Sequence, residues 1–299
     1  MTKLADLVIR HFPALPQCAR MILSPYEPFK SVQIMRIVIA GGSRGIGRAL
    51  AEFFRGRGDS VWVLARHAEG AESSRCDVAD WAQVERAASE VAAAWGSVDA
   101  VVCAAAIQGA VGPAMSADPA RWSDTVRVNL DGTFFVLRAF WELLRKAPRR
   151  GKVVCFSGGG ATKARANFSA YASSKTAVVR LVENLAAEWE GLPVDINAIA
   201  PGAITTDMTR DTAARGPELA GREEYEAALR QLAQGGQSLE RAVALVQWLL
   251  SEASDGITGR MLSAQWDDWE NLSAHRAELA ATDIFQLRRT LAKERSHHF

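Results

Sequence analysis

Short, mostly apolar runs alternate with longer amphipathic segments along residues 36–263. The runs are typical of strands buried on both faces of a sheet, and they cover residues 37–40, 61–64, 98–104, 152–156, 194–200 and 257–263. A helix with Ile46, Leu50, Phe53 and Phe54 on one face follows the first run. Further helices are predicted over residues 80–95, 121–145, 169–189 and 239–251. This alternation predicts a single doubly wound α/β domain, with a parallel sheet and helices on both faces.

The composition excludes several classes of protein. The chain has 299 residues, 48% hydrophobic content and a net charge of +1 with acids and bases mixed, so neither nucleic-acid binding nor an acidic tail is predicted. No apolar run approaches the ~20 residues that span a bilayer, so no membrane partner is expected. The cysteines Cys18, Cys76, Cys103 and Cys155 lack metal-ligand spacing, so no metal site is predicted, and they favour a reducing, cytoplasmic location.

Two flanking segments differ from the central region of residues 35–263. Residues 1–34 hold four of the ten prolines and form an N-terminal extension, either a packed arm or a dispensable leader. Residues 264–299 form a C-terminal tail, expected to be a packed, helical extension. The tail begins with Trp266-Asp267-Asp268-Trp269, which suits stacking on a sugar ring or, more often, a core or subunit contact.

Glycines cluster between the first strand and the first helix. Gly41, Gly45 and Gly47 have the spacing Gly-x-x-x-Gly-x-Gly within residues 40–47. Glycines at such a junction allow a tight turn and a close approach of backbone to pyrophosphate, and the helix N-terminus favours the negative charge. The position of the cluster favours dinucleotide binding over an ordinary turn.

Further motifs follow in a fixed order. They are Cys76-Asp77-Val78, Asn129 within a helix, Tyr171-Ala-Ser-Ser-Lys175, and Asn197-Ala-Ile-Ala-Pro201-Gly202 after the sixth strand. Together with the glycine spacing, they resemble the short-chain dehydrogenase/reductase (SDR) family over residues 36–263. The resemblance implies a Rossmann-like fold and an NAD(P)-dependent oxidoreductase. It assigns cofactor contacts to Gly41, Ser43, Arg44, Gly45, Ile46, Gly47, Asp77, Ala104, Ala105, Tyr171, Lys175, Pro201, Gly202, Ile204 and Thr206.

Charge at the end of the second strand bears on the choice of cofactor. An acid there would bind the ribose hydroxyls of NAD, whereas this segment reads Leu64-Ala65-Arg66-His67. Arg66 and Arg44 could both face a 2′-phosphate, to which arginine makes strong charged hydrogen bonds. Solvated surface arginines are the alternative. The sequence favours NADP over NAD.

Tyr171 and Lys175 are four residues apart at a helix start and therefore share a face. A tyrosine has an ordinary pKa of about 10, and a nearby ammonium favours the phenolate. Tyr171 could then exchange a proton with a carbonyl or alcohol oxygen. By resemblance, Lys175 also holds the nicotinamide ribose and Asn129 supports a water that connects Lys175 to solvent.

The chain departs from the family at two places. The serine that binds the substrate oxygen aligns with Gly158, while Ser157 comes one residue early and would normally point the other way from a strand. A glycine-rich bulge could turn Ser157 into that role as a catalytic residue; Thr162 or a water could replace it. The family's Asn-Asn-Ala-Gly is here the segment 103–106, Cys-Ala-Ala-Ala, which removes polar support for the sheet.

Residues 207–237 correspond to the family's substrate lid and carry several arginines. We expect hydride transfer between NADP and a polar carbonyl/alcohol substrate, with a carbohydrate derivative as one candidate. A dehydratase or epimerase with transient hydride transfer is one alternative, and a nucleotide-binding protein without turnover is another. Apolar stretches in the helices over 121–145 and 169–189, which pair subunits in the family, predict a homodimer or homotetramer.

Overall fold

The chain divides into two units, Met1–Ile34 and Met35–Phe299, and the computed structural model describes residues 34–291 and 294. The predicted N-terminal extension of residues 1–34 therefore lies, apart from Ile34, outside the described residues. No helix in the described ranges is long and apolar enough to cross a membrane.

In the described part of the chain, seven parallel strands form one sheet in the order β3-β2-β1-β4-β5-β6-β7. The strands are β1 Arg36–Ala40, β2 Ser60–Ala65, β3 Ser73–Arg75, β4 Ala100–Cys103, β5 Gly151–Phe156, β6 Val194–Ala200 and β7 Met261–Ser263. The strand order reverses between β1 and β4, and ligands bind at such a switch point in doubly wound sheets. The predicted fold class is confirmed.

Helices cover both faces of the sheet. They are α1 Gly45–Gly56, α2 Trp81–Trp95, α3 Pro119–Val126, α4 Gly132–Leu144, α5 Ser169–Glu188, α6 Asp207–Ala214, α7 Gly216–Ala220, α8 Arg222–Gln234, α9 Leu239–Leu250 and α10 Arg276–Ala281. One apolar core packs α2, α4 and α5 against the sheet, and the other packs α1 and α9 against the opposite face. A π-helical turn, Arg127–Asp131, joins α3 to α4 within the predicted long helix.

Three elements differ from the sequence prediction. Strand β3 was not predicted, because Ser-Ser-Arg at the sheet edge carries no apolar pattern. The last strand begins at Met261 rather than at residue 257, since Gly259 just before it has a φ of +69°. The lid over residues 207–237 contains α6, α7 and α8, which are too polar to show a clear apolar periodicity.

The tail packs beside β7 in the part that is described. Met261 N donates to Phe285 O at 2.8 Å, so residues 282–287 run along the edge of the sheet. The buried guanidinium of Arg260 donates to the carbonyls of Leu279, Thr282 and Ile284. The expected helical tail is found only in part: a 3₁₀ segment, Trp269–His275, precedes α10, and irregular chain follows to residue 291. The rest of the expected helix, residues 292–293 and 295–299, lies outside the described residues.

Candidate active site

The predicted site residues come from both sides of the switch point. Because all strands are parallel, the segments that follow β1, β2, β4, β5 and β6 emerge at one edge of the sheet. The glycine turn, the loop after β4, the loop before α5 and the lid therefore surround a common region. This convergence is a property of the tertiary structure that motif order along the chain only suggests.

The turn after β1 requires glycine at two positions. Gly41 has a φ of +88°, and a Cβ there would lie 2.5 Å from the backbone nitrogen of Ala105. A Cβ on Gly47 would lie 2.3 Å from the carbonyl oxygen of Gly41. Any side chain at either position would collide with backbone. The turn thus packs directly against Ala104 and Ala105, the first residues after β4.

The N-terminus of α1 is free to bind an anion. Arg44 occupies the N-cap with no side-chain hydrogen bond, and the first turn contains no acidic residue. Ser43 and Gly45 are exposed and Ile46 is half-buried, so the start of the helix is open. Helix N-termini leave backbone N–H groups unsatisfied and carry partial positive charge. The turn and this helix fit a dinucleotide pyrophosphate.

The residues expected to contact the adenosine half of the cofactor include two that follow strands β2 and β3. Arg66 directly follows β2 and is exposed, as is Arg44. The nearest acid to Arg44 is Asp207, at 3.8 Å between exposed groups, a contact too weak to neutralise it. Asp77 follows β3, and its carboxylate accepts from Ala79 N at 3.0 Å.

Asn129 lies within the π-helical turn and is fully buried. Its amide accepts from Ile107 N at 2.9 Å and donates to Ile107 O and to Ser174 Oγ, each at 3.0 Å. The side chain thereby ties the loop after β4 to α5, one residue before Lys175. These contacts make Asn129 part of the framework that holds the site together.

Lys175 is buried, and its Nζ donates to Phe156 O at 2.8 Å, at the end of β5. Burial lowers the pKa of Lys175 from 10.5 to about 8, and the nearby thiols of Cys155 and Cys103 oppose this decrease only in part. The ammonium and the neutral amine are therefore both accessible near neutral pH. Its hydrogen bond fixes the amine over the end of the strand.

The Tyr171 hydroxyl lies against Gly158. A Cβ on Gly158 would be 2.6 Å from that oxygen, so the phenol fills the space of a side chain at this position. Burial raises the pKa of Tyr171, and the positive charge that opposes the increase is Arg165. The expectation that Lys175 lowers this pKa is therefore wrong for this structure. The amine of Lys175 is directed to Phe156 O and lies 5.9 Å from the centroid of the tyrosine ring.

The two hydroxyls considered as replacements for the family's serine have different surroundings. Ser157 is buried and its Oγ has no hydrogen-bond partner among the described residues. Thr162 is exposed in the following loop. A buried hydroxyl without a partner is costly, which makes Ser157 the better placed of the two to bind a polar group, although no bond joins it to Tyr171 here.

The segment after β6 leads from the sheet into the lid. Pro201 and Ile204 are buried, and Pro201 O accepts from Gln265 Nε2 at 3.0 Å. Gly202 between them is exposed. Thr206 caps α6 through a reciprocal bond with Thr209, and its Cγ2 would lie 4.0 Å from a Cβ on Gly45. The start of the lid thus faces the glycine turn.

Arg165, on the loop that leads to α5, lies close to Tyr171. Its guanidinium stacks 3.9 Å from the centroid of Phe168 and lies 5.9 Å from that of Tyr171. Two hydrogen bonds, of 2.9 and 2.7 Å, join it to Glu224 on α8. Only the spacing of six residues before Tyr171 could have drawn attention to it.

The fold and this site define a dinucleotide-dependent oxidoreductase of the doubly wound α/β class. Comparison with known proteins agrees: a family model described as enoyl-(acyl carrier protein) reductase matches residues 40–265. The chain belongs to the short-chain dehydrogenase/reductase family and is an NAD(P)-dependent oxidoreductase.

Three relatives illustrate the similarity. The chain is 33% identical to D-threitol dehydrogenase of Mycolicibacterium smegmatis over 185 residues, covering 57% of this chain and 70% of the relative. It is 32% identical to levodione reductase of Leifsonia aquatica over 192 residues, covering 59% and 72%. A crystal structure of a short-chain dehydrogenase from Escherichia coli CFT073 complexed with NADPH has a TM-score of 0.67 at 26% identity, covering 80% of this chain and all of that one.

Proposed function

We propose that this enzyme transfers a hydride between NADP and a polar carbonyl/alcohol substrate, with Tyr171 as the general acid/base. The observation that carries the proposal is the geometry of the tyrosine. Its hydroxyl lies in the free space above Gly158, on the helix that also carries Lys175, at the sheet edge with the glycine turn.

The side chains of the protein have two tasks: they transfer a proton, and they position the substrate and the cofactor. The nicotinamide supplies or accepts the hydride when it is bound. A raised pKa keeps Tyr171 protonated at neutral pH, as a proton donor to a carbonyl oxygen must be. Lys175, with its pKa of about 8, can donate a hydrogen bond to a ribose hydroxyl while remaining bound to Phe156 O. The Asn129 framework keeps α5 in place.

Support for NADP comes from charge. Arg44 and Arg66 are exposed and flank the glycine turn and the end of β2, and among the described residues neither has a strong acidic partner. A 2′-phosphate brings two additional negative charges, with which arginine forms bidentate bonds. The relative from Escherichia coli CFT073, which was solved in complex with NADPH, supports the same choice of cofactor.

A polar substrate fits the side chains around the site, and polyols and sugars are the first class to test. Next to the glycine turn, the loop after β4 contributes Gln108, and the lid contributes Asp211 and Arg215, to a cavity of about 170 Å³. The name of the relative D-threitol dehydrogenase supports a polyol, whereas that of levodione reductase points to a different carbonyl compound. The screen therefore includes both alcohols, tested with NADP⁺, and carbonyl compounds, tested with NADPH.

Gly158 favours a second candidate function. With glycine in place of the family's serine, no side chain at this position can hold the substrate oxygen, and only Ser157 is close along the chain. An epimerase or dehydratase with transient hydride transfer would return the hydride to its substrate. Such an enzyme regenerates its cofactor, so product formation without net change in NADPH would favour it over the oxidoreductase.

The test of the main proposal is a screen followed by one variant. Short polyols with NADP⁺, and sugars and cyclic diketones with NADPH, would be followed by NADPH absorbance. On the substrate found, Tyr171→Phe should lower kcat by roughly 10²–10⁴-fold, the usual contribution of general acid–base catalysis. NADPH affinity, measured by fluorescence, should stay within about twofold because the phosphates are bound elsewhere. Full activity of Tyr171→Phe would refute the proposal.

Three buried thiols, Cys76, Cys103 and Cys155, support a cytoplasmic location, where they would stay reduced.

Self-association is proposed as well, as a homodimer or homotetramer. Trp81 and Phe134 are 37% and 42% exposed on the face formed by α2 and α4, an apolar surface that a second subunit would cover. Light scattering that shows only a 32.4 kDa species at micromolar concentration would contradict it.

A further inference from the structure

The loop between β5 and α5 places one charged side chain beside the catalytic tyrosine. Arg165 is largely buried, with 17% of its side chain exposed, and its guanidinium lies over Phe168 and near the ring of Tyr171. The glycines that follow β5 leave room for it: a Cβ on Gly159 would lie 3.6 Å from Arg165 Nη1, and one on Gly160 would lie 3.2 Å from its Cβ.

Glu224 on α8 holds this guanidinium from the lid. The pair is bidentate, with Nε to Oε1 at 2.9 Å and Nη2 to Oε2 at 2.7 Å. Fork-to-fork contacts of this kind fix orientation as well as charge. The carboxylate also offsets part of the positive charge that Tyr171 experiences, so the charge near the tyrosine depends on a residue of the lid.

Other charges around Tyr171 are few among the described residues. Its own helix contributes Lys175, whose amine is directed to Phe156 O. The loop after β5 contributes Gly158, which has no side chain, and α8 contributes Glu224, which is paired with Arg165. Arg165 is also the group that opposes the effect of burial on the pKa of Tyr171.

We propose that Arg165, held by Glu224, is a positioning residue that tunes the acidity of Tyr171 and links the lid to the proton donor. The catalytic consequence of this inference rests on the proposed function of Tyr171, whereas the electrostatic effect on its phenol does not. An opposite or like charge within several ångströms changes the acidity of a group by about one to three pKa units. Because Glu224 neutralises part of the charge, we expect a change near the lower end of that range.

The measurement follows Tyr171 directly. The chain has three tyrosines, Tyr26, Tyr171 and Tyr225, so replacing the other two by phenylalanine leaves Tyr171 alone. The titration of its phenol, labelled at Cζ and observed by NMR in the full chain without ligand, reports its pKa without any need for turnover. In this background Arg165→Gln should raise that pKa by about one unit, and Arg165→Lys should restore part of the difference.

Glu224 provides the opposite change. Glu224→Gln keeps the shape of the side chain but removes the counter-charge, so the pKa of Tyr171 should fall by about half a unit to one unit. In the Arg165→Gln background the same substitution should still lower the pKa of Tyr171, because the carboxylate and the guanidinium each act on the phenol through space. Arg230→Gln is the matched control, since its weak 3.9 Å contact with Glu226 lies on the same helix.

Two outcomes would overturn the inference. One is an unchanged titration of Tyr171 in Arg165→Gln; the other is an unchanged titration of Tyr171 in Glu224→Gln. The alkaline limb of the pH profile of turnover should follow the NMR titration. If Tyr171→Phe retains turnover while the titrations change as expected, the proposed function fails and the electrostatic link stands.

Discussion

Introducing a side chain at position 158 tests the geometry on which the proposed function depends. A Cβ on Gly158 would lie 2.6 Å from the hydroxyl oxygen of Tyr171 and 3.3 Å from two of its ring carbons. Non-bonded contacts settle at about 3.5–4.0 Å, so the hydroxyl must retreat by roughly 1 Å. Gly158 does not have a positive φ, so alanine at this position causes no backbone strain. Its methyl group collides with Tyr171 instead.

The displacement predicts the size of the effect. A misplacement of about 1 Å in a reacting group can cost about 10²-fold in rate. We therefore expect Gly158→Ala to lower kcat by about 10- to 100-fold while leaving NADPH affinity within about twofold. Turnover would be measured by NADPH absorbance on the substrate from the screen, and affinity by fluorescence titration.

A neighbouring glycine provides the control. A Cβ on Gly159 meets the Arg165 guanidinium at 3.6 Å, an ordinary contact, and this glycine also lacks a positive φ. Gly159→Ala should therefore stay close to the wild-type rate. The reasoning is refuted if Gly158→Ala matches Gly159→Ala in turnover, or if Gly158→Ser, which restores the family's hydroxyl, exceeds the wild type.

Three further predictions concern charge and packing. Because burial lowers the pKa of Lys175 from 10.5 to about 8, the unfolded chain binds more protons between these values, so stability should rise with pH across that window. In urea denaturation, the free energy of unfolding of the wild type should rise with pH relative to that of Lys175→Met. A difference between the two that does not change with pH would contradict this prediction. Arg66→Asp should weaken NADP binding by at least about tenfold without weakening NAD binding, and equal losses for both would count against the assigned phosphate contact. Arg260→Met removes the donors to three carbonyls of the tail and should lower the free energy of unfolding by about 2–4 kcal/mol, with earlier proteolysis after residue 263; unchanged stability would show that the tail is held otherwise.

The sequence alone determined the fold class and the main elements of the site. Apolar runs and helical periodicity are local properties, and they located six of the seven strands and the long helices. The glycine turn was equally readable, because only glycine permits the approach of Gly41 and Gly47 to backbone. Polar elements were not readable in this way: β3 and the lid helices are stabilised by neighbours distant in sequence.

Only the tertiary structure decided the electrostatics of the catalytic centre. The spacing of Tyr171 and Lys175 predicted a shared helix face, and from it a lowered tyrosine pKa followed. In the fold, Lys175 is buried and bound to Phe156 O, while Arg165 and its partner Glu224 approach the ring from a loop and a separate helix. Burial and charge act through space, so the distances that set the acidity of Tyr171 arise only when these segments pack together.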